Sequence, residues 1–372
     1  MMNAWQIKDA TDEYDWWWHN MTGFENGDPS KPRSFFMEYF TINPGIKSKK
    51  PIVGPTQTPC YAMMKVGFWD KNNSKQYNQF YSILDTRIST KTFNVKIGRD
   101  SNGGWINTAN NRRLKGKVDT LGAKKTRKTL FSDQGSMSWD LKVKKVKHFN
   151  PMKGEKFLNW ITKSIEPFEM AWMVHGVMTE YEGEIVLRDK TGKSKRYVLT
   201  FDTSCGYQDK NWGRDFTNPW VWLQSSCITT ENKREIKGAC FVVGGGDPQV
   251  VDINLGKKLL IYFNDGKRKY ECNFTKNLFN STTFKIHRSK KKLTWNVQGE
   301  CENHKLKITA TCPLDEMLKV KYENPSGKYC HKNLLNGGTA TGTVELYSKD
   351  NKLLKTFYFS RGGCEYGKYS SC

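Results

Sequence analysis

The chain has 372 residues, 13% of them aromatic, and a formal net charge of +23. That length exceeds one small core and suits two domains of ~150–200 residues, and so many rings exclude a wholly disordered chain. The charge favours anionic partners, but no zinc-finger, helix-turn-helix or RNA-recognition pattern accompanies it, so solvated faces come first, an anionic membrane surface second, and nucleic acid is not the expected partner.

Along the chain, the start Met1-Met2-Asn3-Ala4-Trp5-Gln6 lacks the apolar run of a signal peptide. No stretch is apolar for long enough to predict a membrane-spanning helix. The ten cysteines include no CxxC pair. A cytoplasmic protein with reduced, partly buried thiols is expected, peripheral to a membrane at most. Trp16-Trp17-Trp18 is expected beneath a first barrel rather than capping a pocket mouth or sitting in a membrane interface. Arg33 to Phe40 reads as an aromatic strand carrying an acid, Glu38. The Gly-, Asn-, Lys- and Arg-rich stretch 100–135 is expected to hold a mobile loop. Lys153 to Ile165 predicts one short helix, ending before Glu166-Pro167. The domain boundary is placed there, giving domains 1–160 and 161–372.

Hairpin signals dominate the second half. Glu184–Leu187 and Tyr197–Phe201 flank a turn at Thr191-Gly192. Leu259–Phe263 meets Asn264-Asp265-Gly266, after which Tyr270, Cys272 and Phe274 alternate. Gly342–Tyr347 pairs with Lys355–Phe359 across Lys349-Asp350-Asn351. Many short strands separated by turn signals predict an all-β protein of antiparallel barrels or sandwiches, with little helix. The stretches 135–141 and 292–297 each place a hydroxyl residue beside a Trp, which two related halves would explain. Cys301-x2-His304, Cys312 and Cys330-His331 match no standard zinc spacing, so no metal is expected.

The densest chemistry runs from Gly206 to Gln224. Period-2 geometry puts Tyr207, Asp209 and Asn211 on one face of a strand, and Gln208, Lys210 and Trp212 on the other. Beyond the Gly213 turn, Trp220, Trp222 and Gln224 again share a face. A carboxyl among rings suits protonation of an alkene followed by capture of the cation by an internal hydroxyl or by water. Burial keeps such an acid protonated, and aromatic faces stabilise the cation. On this reading Asp209 is the general acid, Tyr207 and Asn211 orient it, and Trp220 and Trp222 line the cation path. An inward Asp bonded to backbone amides, among rings that merely fill a barrel, fits the same residues.

The Tyr207-x-Asp209-Lys210-Asn211-Trp212-Gly213 run, then Phe216, then Trp220-x-Trp222-x-Gln224, resembles the signature of the tocopherol cyclase family. A Tyr-x-Asp before Asn-Trp-Gly is also similar to carotenoid hydratases of the hydroxyneurosporene synthase type. Arg33 to Phe40, Val174-His175-Gly176, Cys301 to Leu306, Gly337 to Leu346 and Gly362 to Glu365 agree with the family in order, over about residues 14–367. Val174-His175-Gly176 is expected to precede a strand. The resemblance implies two lipocalin-like domains with a pocket between or inside them, and ring closure of a prenylated phenol or hydration of an isoprenoid double bond without a cofactor. It implies Asp209 as the acid, with Tyr207 and His175 as partners. Tocopherol cyclases usually carry Glu where this chain has Asp209. Two other classes stay open: a non-catalytic carrier of a hydrophobic ligand, and a membrane- or polyanion-associated structural protein.

Overall fold

A computed structural model describes residues 4–54, 57–122, 132–149, 170–246, 249–250, 253–254, 258–273, 281–301, 303–368 and 370–371. Strands carry the fold; helix among these residues is confined to three short 3-10 turns. The first twelve strands are β1 (Tyr14–Glu25), β2 (Pro32–Ile42), β3 (Tyr61–Trp69), β4 (Lys75–Tyr81), β5 (Thr86–Ile88), β6 (Asn94–Arg99), β7 (Trp105–Asn110), β8 (Arg113–Asp119), β9 (Gly135–Phe149), β10 (Met170–Asp189), β11 (Ser194–Leu199) and β12 (Gly206–Gly213). They form one antiparallel sheet in the order β4-β3-β2-β1-β11-β10-β9-β8-β7-β6-β5, with β12 pairing both β1 and β10. Strand β4 lies against β8 and β9, so the sheet curls back on itself.

The second sheet takes β13 (Trp220–Ser225), β14 (Cys227–Thr229), β15 (Ala239–Gly246), β18 (Lys258–Asp265), β19 (Lys269–Asn273), β20 (Thr282–Arg288), β21 (Lys292–Cys301), β22 (His304–Pro313), β23 (Leu318–Glu323), β24 (Tyr329–Ser348), β25 (Leu353–Gly367) and β26 (Ser370–Ser371). Strands β16 (Gln249–Val250) and β17 (Ile253–Asn254) pair only with each other. Strands β18 and β19 approach β20 and β21, closing a second barrel.

Three buried clusters follow from strand alternation. Phe35, Met37 and Tyr39 of β2 point into the first barrel, and Phe36 and Phe40 point out of it. On β13, Val221 and Leu223 enter the second barrel while Trp220 and Trp222 point out. The outward rings meet in a third cluster, where the barrels pack face to face. Strands buried on both faces carry near-continuous apolar runs, which accounts for Trp16-Trp17-Trp18: Trp17 fills the first barrel and its neighbours face the second. Hydrogen bonds fasten the junction. Trp69 Nε1 donates to Asn336 Oδ1 at 3.0 Å, Gln76 Nε2 to Lys319 O at 2.8 Å, and Asn43 Nδ2 to Pro325 O at 2.8 Å.

The expected all-β architecture with little helix is present, and the hairpins across Thr191-Gly192, Asp265-Gly266 and Asp350-Asn351 are all paired. Several expectations change. The placement of the domain boundary at 160/161 falls between β9 and β10, which pair with each other in the first sheet. The change of sheet comes after Gly213, because β1 draws the later β11 and β12 beside it. The stretch 100–135 contributes the β7–β8 hairpin instead of one loop, with 123–131 outside the described residues. The expected helix at 153–165, and Phe274, also lie outside them. Four cysteines are oxidised rather than reduced: Cys205 pairs with Cys227, and Cys272 with Cys301. Cys272–Cys301 joins β19 to β21 within the second sheet, and Cys205–Cys227 ties the turn before β12 of the first sheet to β14 of the second.

Candidate active site

A narrow cleft lies where the two barrels meet, with a cavity volume of about 20 Å³, room for about one water. From the first barrel, Trp16 and Trp18 of β1 and Asp209 and Asn211 of β12 line it. Trp220 and Trp222 of β13, Tyr322 of β23 and Glu365 of β25 line it from the second. All these side chains stand on the outer faces of their sheets, so the cleft lies between the barrels and not inside either one. The rings approach closely, leaving a narrow passage.

Asp209 is fixed by donors from two strands. Trp172 Nε1 of β10 donates to Asp209 Oδ2 at 2.9 Å, and the Tyr207 hydroxyl donates to the same oxygen at 2.8 Å. Trp222 Nε1 reaches Tyr207 Oη at 3.3 Å, tying the second barrel to the arrangement. Asp209 Oδ1 is buried with no hydrogen-bond partner among the described residues. Burial, first, pushes the Asp209 carboxyl up to about 7; the two donors pull it back, and Glu365 and Glu38 add to the rise.

Two more carboxyls surround it, Glu38 fully buried and Glu365 half-buried. Glu365 accepts from Trp220 Nε1 at Oε2 (2.6 Å) and from Asn336 Nδ2 at Oε1 (2.5 Å). Burial lifts it to about 7 against those bonds and the Lys65 charge. Glu38 accepts from the Tyr322 hydroxyl at 2.6 Å, and burial raises it to about 7, opposed first by Lys65. The Lys65 ammonium lies 4.3 Å from the Tyr322 ring centroid and donates to Lys321 O at 3.4 Å. The cleft therefore holds several proton-active groups among cation-tolerant rings.

The geometry sorts the residues expected to act. Tyr207, Asp209 and Asn211 do share one face, and Asp209, Asn211, Trp220 and Trp222 meet in the cleft. Glu38 adjoins it through Tyr322 rather than lining it. Gln224 is fully buried one step beyond, with neither amide atom bonded among the described residues. Trp212 takes the opposite face, where Lys210 Nζ sits 5.1 Å from its ring. His175 is separate as well. It lies within β10 instead of before a strand, and lines a different cavity of about 530 Å³ with Phe93, Lys145 and Phe149. Burial holds its imidazole down at about 2, so it stays neutral. Trp172, Tyr322, Asn336, Lys65 and Glu365 were not singled out for a role. Trp172 alternates on its strand with the His175 region, and only pairing of β10 with β12 brings it to Asp209.

No four-ligand metal arrangement assembles from Cys301, His304 and Cys312: Cys301 is spent in its disulfide and Cys312 is buried. The side chains of Cys330 and His331 lie outside the described residues.

No curated protein matches the chain. Among solved structures it is similar to a candidate AttH from Nitrosomonas europaea, at 10% identity and a TM-score of 0.44, covering 95% of this chain and 92% of that one. It is also similar to kievitone hydratase from Nectria haematococca, at 11% identity and a TM-score of 0.45, covering 97% and 91%. The model of the tocopherol cyclase-like family matches residues 64–367, a span that takes in Trp172, Tyr207, Asp209, Trp220, Trp222 and Glu365, and by that match the chain belongs to the tocopherol cyclase-like family.

Proposed function

We propose that the cleft between the barrels performs acid-type addition of a hydroxyl across a carbon–carbon double bond, closing a ring on a prenylated phenol or hydrating a polyene, without a cofactor. The observation that carries this reading is Asp209: a buried carboxyl with both donors on Oδ2, a bare Oδ1, and Trp16, Trp18, Trp220 and Trp222 around the same space. A neutral carboxyl there presents its proton from Oδ1 to an apolar substrate, since Oδ2 is already occupied. The rings spread the charge of the resulting cation, and the dry walls delay water until capture. Membership of the tocopherol cyclase-like family supports the reaction class. Substrate identity rests on the apolar, ring-bearing walls alone: they suit an isoprenoid, quinol or polyene in chemistry, and the rings must part to admit one.

The test is a panel of prenylated quinols and linear polyenes, followed by mass for products isomeric with the substrate or one water heavier. Asp209→Asn is expected to keep binding and lose ~10²–10⁴-fold in turnover, the share of a positioned general acid. Full activity of that variant rejects Asp209 as the acid. Binding without turnover by the wild type across the panel favours the carrier reading instead.

Two further expectations concern surroundings. The +23 charge supports attraction to anionic membranes, and no described helix is long and apolar enough to span one. Equal binding to anionic and neutral vesicles at low salt would remove this partner. The two disulfides favour a compartment in which such bonds persist, against the cytoplasmic expectation; free thiols at these four positions in protein from its native source would restore it.

A further inference from the structure

Asp209 and Glu365 face the same cleft from opposite barrels, and their hydrogen bonds differ in kind. Both oxygens of Glu365 accept, one from the Trp220 indole and one from the Asn336 amide, neither of which can accept a proton in return. Asn336 is itself held, because Trp69 Nε1 donates to its Oδ1 and so fixes its amide nitrogen toward Glu365. A carboxyl with two such donors is built to be ionised. Asp209 concentrates both of its donors on Oδ2 and leaves Oδ1 bare, which is the pattern of a protonated acid.

We infer that Glu365 is the catalytic base paired with Asp209: it takes the proton of the attacking hydroxyl while Asp209 supplies the proton to the alkene. This rests on the addition chemistry proposed above and assigns its second half. The step balances without an oxidant or cofactor. The alkene π pair forms a C–H bond with the Asp209 proton, leaving a carboxylate and a cation at the neighbouring carbon. The hydroxyl oxygen of the substrate phenol, or of water, bonds to that carbon as its proton passes to Glu365. The proton then returns from Glu365 to Asp209, through solvent in the emptied cleft, and both residues are reset.

The charges around the two carboxyls differ. Around Glu365 stand Trp220 of β13, Asn336 of β24 and the Lys65 ammonium of β3; burial raises this carboxyl, and both donors and then that cation pull it back toward the carboxylate. Around Asp209 stand Trp172 and Tyr207, with Glu365 and Glu38 as its charged neighbours, and their charge opposes its ionisation. Tyr322 donates to Glu38 beside Lys65, so the third carboxyl is engaged away from Asp209. Negative charge on Glu365, on the side of the second barrel, thus adds to burial in holding the proton on the first.

Infrared difference spectra of the full-length protein at neutral pH read this division with no substrate needed. Subtracting Asp209→Asn from wild type is expected to remove a protonated-carboxyl stretch. Subtracting Glu365→Gln is expected to remove carboxylate bands while the protonated band stays, since burial is the largest cause holding the proton on Asp209. Loss of the protonated band in Glu365→Gln, with carboxylate bands lost in Asp209→Asn, overturns the assignment. On any substrate the panel yields, Glu365→Gln lowers turnover by ~10²-fold or more, and added formate restores part of the turnover of Glu365→Ala. Turnover of Glu365→Gln within threefold of wild type overturns the base role. A panel with no turnover at all counts against the proposed reaction, and the spectra still decide the ionisation.

Discussion

Asp209 and Lys210 are adjacent on β12, fully buried, and on opposite faces of the same sheet. Lys210 points into the first barrel, where its ammonium pairs with Asp15 of β1 and lies 4.2 Å from the Trp17 ring centroid. The other Asp15 oxygen accepts from the Gln6 backbone N–H at 3.0 Å. Burial still draws Lys210 down to about 8 and Asp15 up to about 6, but each charge has its counterpart and its hydrogen bonds. Asp209 points out of the barrel into the cleft, with one oxygen bonded twice and the other bare. One strand therefore carries a closed ion pair on one face and an open acid on the other. Burial alone does not separate them; completeness of hydrogen bonding does.

The comparison predicts opposite costs. Lys210→Met strands the Asp15 carboxylate inside the barrel and is expected to lower stability by ~3–5 kcal/mol, read by denaturant unfolding. Asp209→Asn is expected to remove turnover as above and leave unfolding at neutral pH within ~1 kcal/mol of wild type, because the amide oxygen still accepts from Trp172 and Tyr207. Exchange of these two outcomes would make Asp209 structural and break the distinction.

Titration sharpens it. Asp209, Glu365 and Glu38 are all raised to about 7. Below ~4, the ordinary carboxylate range, they are protonated in both states and their preference for the neutral form is fully expressed. Between there and 7 the unfolded chain sheds protons that the cleft retains, so their contribution to stability is lost as pH rises through about 7. The melting temperature should fall from pH 5 to pH 8, and less steeply in Asp209→Asn. The three groups titrate as a coupled set, so the slope and not a single midpoint is the observable. An identical slope in wild type and variant would place the Asp209 proton elsewhere.

Smaller effects test the walls. Phe216 lines the cleft as a ring with no polar atom. Phe216→Leu keeps apolar cover and removes the π face, and should cost ~2–30-fold in turnover, equivalent to ~0.5–2 kcal/mol of cation–π stabilisation. His175→Ala, in the separate cavity, should leave turnover within about twofold; a tenfold loss would return His175 to the acid's machinery.

Much of the architecture was readable before any coordinates. Asp265-Gly266 marks its hairpin because that turn needs a residue free to adopt positive φ, and Gly266 sits at φ 96°. The shared face of Tyr207, Asp209 and Asn211 follows from strand periodicity alone. What eluded the sequence was non-local. Glu365 is 145 residues from Trp220, and no local pattern links them. The division between barrels was misplaced because strands β10 to β12 return to the sheet that β1 began, and pairing across so many residues leaves no trace in adjacent positions. The role given to His175 came from resemblance; Trp172, paired opposite Asn211 ahead of the bulges of β10, is the residue that reaches Asp209.

The junction that joins the barrels has a consequence for when the chain can act. The acid belongs to the sheet built by residues up to Gly213, and the Trp222 that buttresses it, the Tyr322 that engages Glu38 and the Glu365 across the cleft all belong to the later sheet. During synthesis the first barrel can close around Trp17 and the Lys210–Asp15 pair while Asp209 still faces water. An exposed aspartate ionises at ordinary pH and gives up nothing to an alkene. Only docking of the second barrel removes the water that kept it charged. On the proposed reading, reactivity is therefore a property of the finished protein and of neither half.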